Sequence, residues 1–226
     1  MYLKEQFDHC INVIDRICEK YPFEKKEFYA HWLGQHYRLV QHSTRILALY
    51  NSLTPINEKV NFNHLREEIG HDAILLKDGK NLGYNLNSLL SGSASQALVS
   101  AVYGDILRGE RKSCIGYILL LEGLSLLTAP KLVKRIDSAL GAGKTQFLRI
   151  HIDADQDHYP NGLKTALTFS DNIKQEILRT LKYSTYLYAS LLNQSREIAL
   201  KNLDDQDNKE GKENEITSLL NPIFLD

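Results

Sequence analysis

Apolar residues recur at three- and four-residue spacing along nearly the whole chain, as in Phe7, Ile11, Ile14 and Ile17 and again in Trp32, Tyr37, Val40, Ile46, Leu47 and Tyr50. That repeat matches the turn of an α-helix, and alternating strand-like runs are hard to find. An all-α protein is expected, with helices over about 2–20, 25–51, 57–82, 86–108, 112–127, 130–140, 144–159 and 165–202. The expected breaks have local causes. Proline fixes φ and lacks an N–H, so Tyr21-Pro22 and Thr54-Pro55 interrupt helices, Pro130 restarts one and Pro160-Asn161-Gly162 stops one, while Gly83 suits a C-cap. The short connections that result are those of a helix bundle.

A chain of 226 residues, 43% of them hydrophobic, can bury one full core, so residues 1–203 are read as a single bundle domain. The stretch DDQDNKEGKENE, within a segment 204–215, has no apolar residue and is expected to be a mobile linker. The tail 216–226 turns apolar again. It is expected to cover exposed core as a short helix, with docking on a partner as the alternative.

Charge and composition exclude several functions. Lys+Arg 27 against Asp+Glu 28, with no basic block, argues against a nucleic-acid partner. The start MYLKEQFDHC is not built like a signal peptide, and the longest apolar stretch, YILLLEGLSLL, is broken by Glu122 and too short to span a bilayer. A soluble, cytoplasmic protein is expected. Cys10, Cys18 and Cys114 form no C-x-x-C pattern and suggest neither a disulfide framework nor a zinc site. GAGKT at 141–145 resembles the end of a phosphate-binding loop, but Ser138 stands where that loop needs a further glycine, so the glycines read as an interhelical turn.

Three segments carry chemistry. In HIDADQDH (151–158), His151, Asp155 and His158 stand at i, i+4 and i+7 and share one helix face with Leu148 and Thr145, while Asp153 and Asp157 point elsewhere. In HLREEIGHDAILL (64–76), Glu68 and His71 stand at i and i+3 beside Leu65 and Leu75, and Glu67 could reach His71 at i+4 instead. Glu122 sits inside CIGYILLLEGLSLL with no Lys or Arg within a turn or two, so a buried charge there needs a partner from another helix or a cation. Together they supply three imidazoles and three carboxylates on apolar faces. Two divalent metals would nearly balance that charge, and mixed N/O ligation suits iron or manganese.

The ferritin-like pattern of two Glu-x-x-His motifs is not met, because the second helix carries His-x-x-x-Asp-x-x-His. The order and approximate spacing of Glu68, His71, Glu122, His151, Asp155 and His158 resemble instead the haem-oxygenase-like di-iron oxidases and oxygenases. The phrases HYRLVQHSTRIL (36–47), REEIGHDAILLKDGKNLG (66–83) and IGYILLLEG (115–123) are also similar to that superfamily, so the resemblance spans most of residues 25–165. One departure stands out: some members place the first carboxylate seven residues before the helix histidine, where this chain has His64.

The resemblance implies a haem-oxygenase-like multi-helix bundle, two Fe(II) ions with manganese as the alternative, and O2-dependent oxidation of a small organic substrate such as an amino acid, an amine or a fatty acid. It further implies that Glu122 bridges, that Glu68 and His71 hold one iron, and that His151, Asp155 and His158 hold the other. Exposed apolar bundle faces are compatible with a homodimer. Three other readings compete: a haem oxygenase using His31, His36 or His42 as axial ligand, a thiaminase-like enzyme with Cys114 as nucleophile, and a non-catalytic metal- or partner-binding helical protein. Tyr183, Tyr186 and Tyr188 in KYSTYLYASLL are expected to pack the core with hydroxyls at its rim.

Overall fold

A computed structural model describes residues 2–55, 62–89, 92–200 and Leu220. These form α1 (Tyr2–Lys20), α2 (Lys26–Ser52), α3 (Phe62–Glu67), α4 (His71–Asn81), α5 (Ser93–Leu107), α6 (Ile115–Leu127), α7 (Ala129–Leu140), α8 (Gln146–Leu167) and α9 (Asp171–Leu200), with short 3₁₀ helices at Leu86–Ser88 and Arg111–Cys114. No strand occurs among the described residues. The expected linker at 204–215 lies outside them, as does the tail apart from Leu220, which is buried in the core cluster.

The centre of the bundle is α6, which packs against α8, α9, α1 and α7. Its apolar run leaves Leu119, Leu120 and Leu124 buried, and burying such side chains contributes roughly 1.5–3 kcal/mol each. Gly116 lets α9 approach it closely: a Cβ there would lie 2.3 Å from the Ile177 carbonyl oxygen. The amphipathic α1, with Phe7, Cys10, Ile14 and Ile17 all buried, closes another side of α6.

Three expected boundaries are corrected. The helix expected over 57–82 is two helices, because Gly70 adopts φ 94 between Glu67 and His71, a left-handed conformation natural only to glycine. The helix expected over 86–108 is a 3₁₀ turn followed by α5. Pro160 does not stop α8, which runs on to Leu167. The proline costs about 3 kcal/mol. Leu163 and Ala166 continue the inward stripe of Leu148 and Asp155 and are buried, and that burial offsets the lost backbone hydrogen bond.

Other boundaries follow the local rules. α1 ends at Lys20 before Pro22, α2 ends at Ser52 before Pro55, and α7 opens with Pro130 in its first turn. Gly83, with φ 82, closes α4. Gly141 and Gly143, both with positive φ, form the interhelical turn before α8.

Candidate metal centre

α3, α4, α6 and α8 deliver the titratable side chains to one buried location, and two trios form there. Ligand-capable atoms of Glu68, His71 and His151 all lie within 4.8 Å of one another, as do those of His64, Glu122 and His158. The rings of His71 and His151 have centroids 4.6 Å apart, and those of His64 and His158 4.4 Å.

Glu68 stands between the trios. Its Oε1 is 3.5 Å from His71 Nδ1, 3.9 Å from His151 Nε2 and 3.9 Å from His64 Nε2. The turn at Gly70 makes this possible: Glu68 N–H still donates to the His64 carbonyl at the end of α3, and His71 then opens α4 on a new axis. Glu67 takes a different direction and meets His158 Nε2 with its Oε2 at 2.6 Å. The carboxylate beside His71 is therefore Glu68.

The inward face expected of α8 is present. Thr145, Leu148 and Asp155 are buried, His151 and His158 half-buried, and Asp153 and Asp157 exposed. His151 Nδ1 lies 2.9 Å from the Phe147 carbonyl, which can only accept, so Nδ1 carries the proton and Nε2 offers its lone pair to the site. Asp155 belongs to neither trio. Its Oδ1 is 3.2 Å from His158 Nδ1, and its Oδ2 accepts the Ser125 hydroxyl.

His64 was not among the residues expected to hold metal. Its Nε2 lies 3.4 Å from Glu122 Oε1. The signal was its place one helical turn before Glu68 and seven residues before His71.

The electrostatics are those of a site that lacks positive charge. Glu122 is buried on α6, its Oε2 has no hydrogen-bond partner, and burial together with the charges of Asp155 and Glu68 holds its carboxyl well above the usual carboxylate range. Burial also pushes Glu68 upward, but the neighbouring imidazoles of His71, His151 and His64 outweigh it and leave the group lowered. His158 is raised to about 9 by its hydrogen bond to Asp155, aided by Glu67. His64 is lowered by burial and by His158. His71 Nδ1 is buried without a hydrogen bond. Orphaned carboxylate and imidazole atoms facing one another fit divalent cations, which would satisfy both at once.

A cavity of about 90 Å³ adjoins Glu68, Glu122, His64, His151 and Asp155. Its walls are mostly apolar, with Trp32, Val40, Ile46, Leu121 and Leu148 among them. Of the three histidines considered for haem, His36 lines this cavity and stacks on Trp32 with centroids 4.6 Å apart, His42 Nδ1 lies 3.2 Å from the Tyr103 hydroxyl, and His31 is buried with an unpaired Nδ1. Cys114 is fully buried and its thiol is pushed up to about 12, which removes it as a nucleophile. Tyr188 lines the cavity, the Tyr183 hydroxyl bonds Asp105 at 3.0 Å, and Tyr186 is exposed. Among the described residues no single helix is long and apolar enough to cross a membrane.

Comparison with known proteins agrees with this architecture. A crystal structure of a domain of unknown function with a heme oxygenase-like fold from Shewanella denitrificans superposes with a TM-score of 0.76, covering 92% of this chain and 97% of that chain at 20% sequence identity. Curated proteins gave no match. The family model described as "Iron-containing redox enzyme" matches residues 30–186, the segment that contains every residue of both trios, and the chain belongs to that haem-oxygenase-like family.

Proposed function

We propose that this protein is a non-haem di-iron oxidase or oxygenase that uses O2 to oxidise a small organic substrate held in the adjoining cavity. The observation that supports this most directly is the pairing of two His/carboxylate trios around Glu68, four imidazoles and two carboxylates in one buried place. Such hard and borderline donors suit Fe(II), with Mn(II) as the alternative, and the absence of thiolates disfavours softer metals.

In this reading Glu68, His71 and His151 hold one ion, and His64, Glu122 and His158 hold the other. This differs from the division implied by the resemblance in two respects: His151 sides with His71, and His64 enters the set. Glu68 rather than Glu122 is the carboxylate placed between the trios, and Asp155 stays within reach as a further ligand. When bound, the two ferrous ions supply electrons to O2 and open coordination positions for it.

The chain's own residues do the remaining work. Phe147 fixes the His151 tautomer, Asp155 and Ser125 orient His158, and Glu67 yields the His158 Nε2 when metal enters. Leu121, Leu124 and Leu148 keep the adjoining space dry. A haem is a poorer fit, because a cavity of about 90 Å³ is far smaller than a macrocycle needs.

Anaerobic Fe(II) titration of freshly chelated full-length protein tests the reading. Two irons per chain, followed by O2 uptake triggered by an organic substrate, is the expected result. Absence of tight binding would end it. Two irons without any substrate-dependent O2 uptake would favour a metal-binding protein that is not an enzyme.

A further inference from the structure

The cavity beside the trios has chemistry of its own. Among its described lining residues there is no Lys or Arg, and its acids, Glu68, Glu122 and Asp155, all belong to the metal end. Two of its hydroxyls are already engaged: Ser125 donates to Asp155 and Thr128 donates to Asp15. Other buried polar atoms of the lining are not, Trp32 Nε1 among them. The Tyr117 hydroxyl and His36 Nδ1 are buried in residues only 2% and 7% exposed, and neither has a hydrogen-bond partner.

An unpaired buried polar group costs about 1–3 kcal/mol. The cost is retained here on two separate helices, α6 and α2, whose side chains line the same apolar space. His36 is also held rigidly, between Trp32 at 4.6 Å, Phe147 at 5.4 Å and Tyr188 at 5.9 Å between ring centroids. Two fixed polar atoms in an apolar chamber are the arrangement that selects a ligand by a single polar function.

We infer that the cavity binds a small, largely apolar molecule through one uncharged oxygen function, a carbonyl or hydroxyl, held by Tyr117 and His36. A carboxylate is disfavoured in the chamber because nothing in its wall compensates a negative charge. The size follows from the volume. A cavity of about 150 Å³ accommodates benzene, so this one takes about four to six non-hydrogen atoms unless its walls move. As the substrate class of the proposed enzyme, the inference rests on the di-iron reading; as a statement about binding, it stands without metal.

Trp32, the only tryptophan in the chain, lines the cavity and reports on it by fluorescence. Cyclopentanone, methylcyclopentane and cyclopropanecarboxylate would be titrated into the full-length chain, freshly chelated and again after anaerobic Fe(II) loading. Saturable binding of the ketone is expected in both states, with the hydrocarbon about tenfold weaker and no carboxylate binding in the chelated protein. Tyr117→Phe and His36→Leu should each weaken the ketone about five- to tenfold and leave the hydrocarbon unchanged, which also shows that the cavity persists.

Equal binding of ketone and hydrocarbon, carboxylate binding as tight as the ketone's without metal, or no saturable response to the ketone would each overturn the inference. The comparison of ligands on the unaltered chain decides the matter even if a variant fails to fold. Two irons without ketone binding would end this inference alone, and ketone binding by a chain that takes up no Fe(II) would end the di-iron reading alone.

Discussion

Asp78, near the end of α4, accepts the backbone N–H of Phe147 in the first turn of α8 at 2.9 Å. One carboxylate thus caps a helix from a neighbouring helix and locks the element that carries His71 to the one that carries His151, Asp155 and His158. Asp78→Ala should cost about 1–2 kcal/mol of stability, as helix-cap losses do, and should weaken iron binding by letting α4 and α8 shift. Asp78→Asn keeps an acceptor and should be milder on both counts. Thermal unfolding with Fe(II) titration of each variant checks this.

The same residue predicts a pH effect. Burial raises the Asp78 carboxyl above its ordinary value of 3.8, against the hydrogen bonds from the Phe147 and Gln146 backbone. A carboxyl whose folded value is raised binds its proton more tightly in the folded state, so its contribution to stability is greatest at low pH and declines as pH rises from about that ordinary value through the folded one. Asp78→Asn cannot titrate and should lack the decline. Unfolding of wild type and variant, both chelated, between mildly acidic and neutral pH should show the difference moving in favour of the variant. A pH-independent difference would mean that Asp78 titrates as it does in the unfolded chain.

For the ligands, His151→Ala, Asp155→Ala, Glu122→Ala and His64→Ala should each impair occupancy of the metal pair, whereas Asp153→Ala and Asp157→Ala should leave it nearly intact. His64→Ala is the most informative of these, because only the three-dimensional grouping places His64 with Glu122 and His158. Fe(II) stoichiometry per chain is the readout. Equal losses across exposed and buried positions would show that the inward face of α8 is not what binds metal.

Much of this site was legible in the sequence because helical periodicity is local. The spacing of His151, Asp155 and His158 fixes their shared face whatever surrounds them, and an acid inside an apolar run, as Glu122 is, announces burial. What escaped depends on tertiary structure. Gly70 reads as one tolerable glycine within a helix, yet its left-handed conformation redirects the chain and brings His64, Glu68 and His71 into two trios. Pro160 reads as a stop, yet Leu163 and Ala166 beyond it find a core to fill. Neither outcome can be decided from residues within one turn.

Gly70 therefore has a testable role. At φ 94 an alanine is strained by roughly 1–2 kcal/mol, although nothing lies within 4 Å of the added methyl. Gly109 supplies a control with φ 97 and equally open space, on the connection between α5 and the Arg111–Cys114 turn, away from the trios. Gly70→Ala and Gly109→Ala should lower stability by similar amounts, while only Gly70→Ala should weaken Fe(II) binding. If both variants bind iron like the wild type, the turn before His71 does not set the ligand geometry.

Ser125 offers the finest test of how the second trio is supported. Its hydroxyl donates to Asp155 Oδ2 and also lies 2.7 Å from the Glu122 carbonyl, so one side chain on α6 orients the carboxylate that in turn holds His158 Nδ1. Partners behind a ligand of this kind typically change metal affinity by about 10–100-fold when lost. Ser125→Ala should weaken one of the two irons by about tenfold and leave the other, held by Glu68, His71 and His151, close to its original affinity. Ser125→Thr keeps the hydroxyl and should retain most of the binding if the added methyl is accommodated. Stepwise Fe(II) titration resolves the two sites, and equal weakening of both would show that Asp155 and His158 do not act on one ion alone.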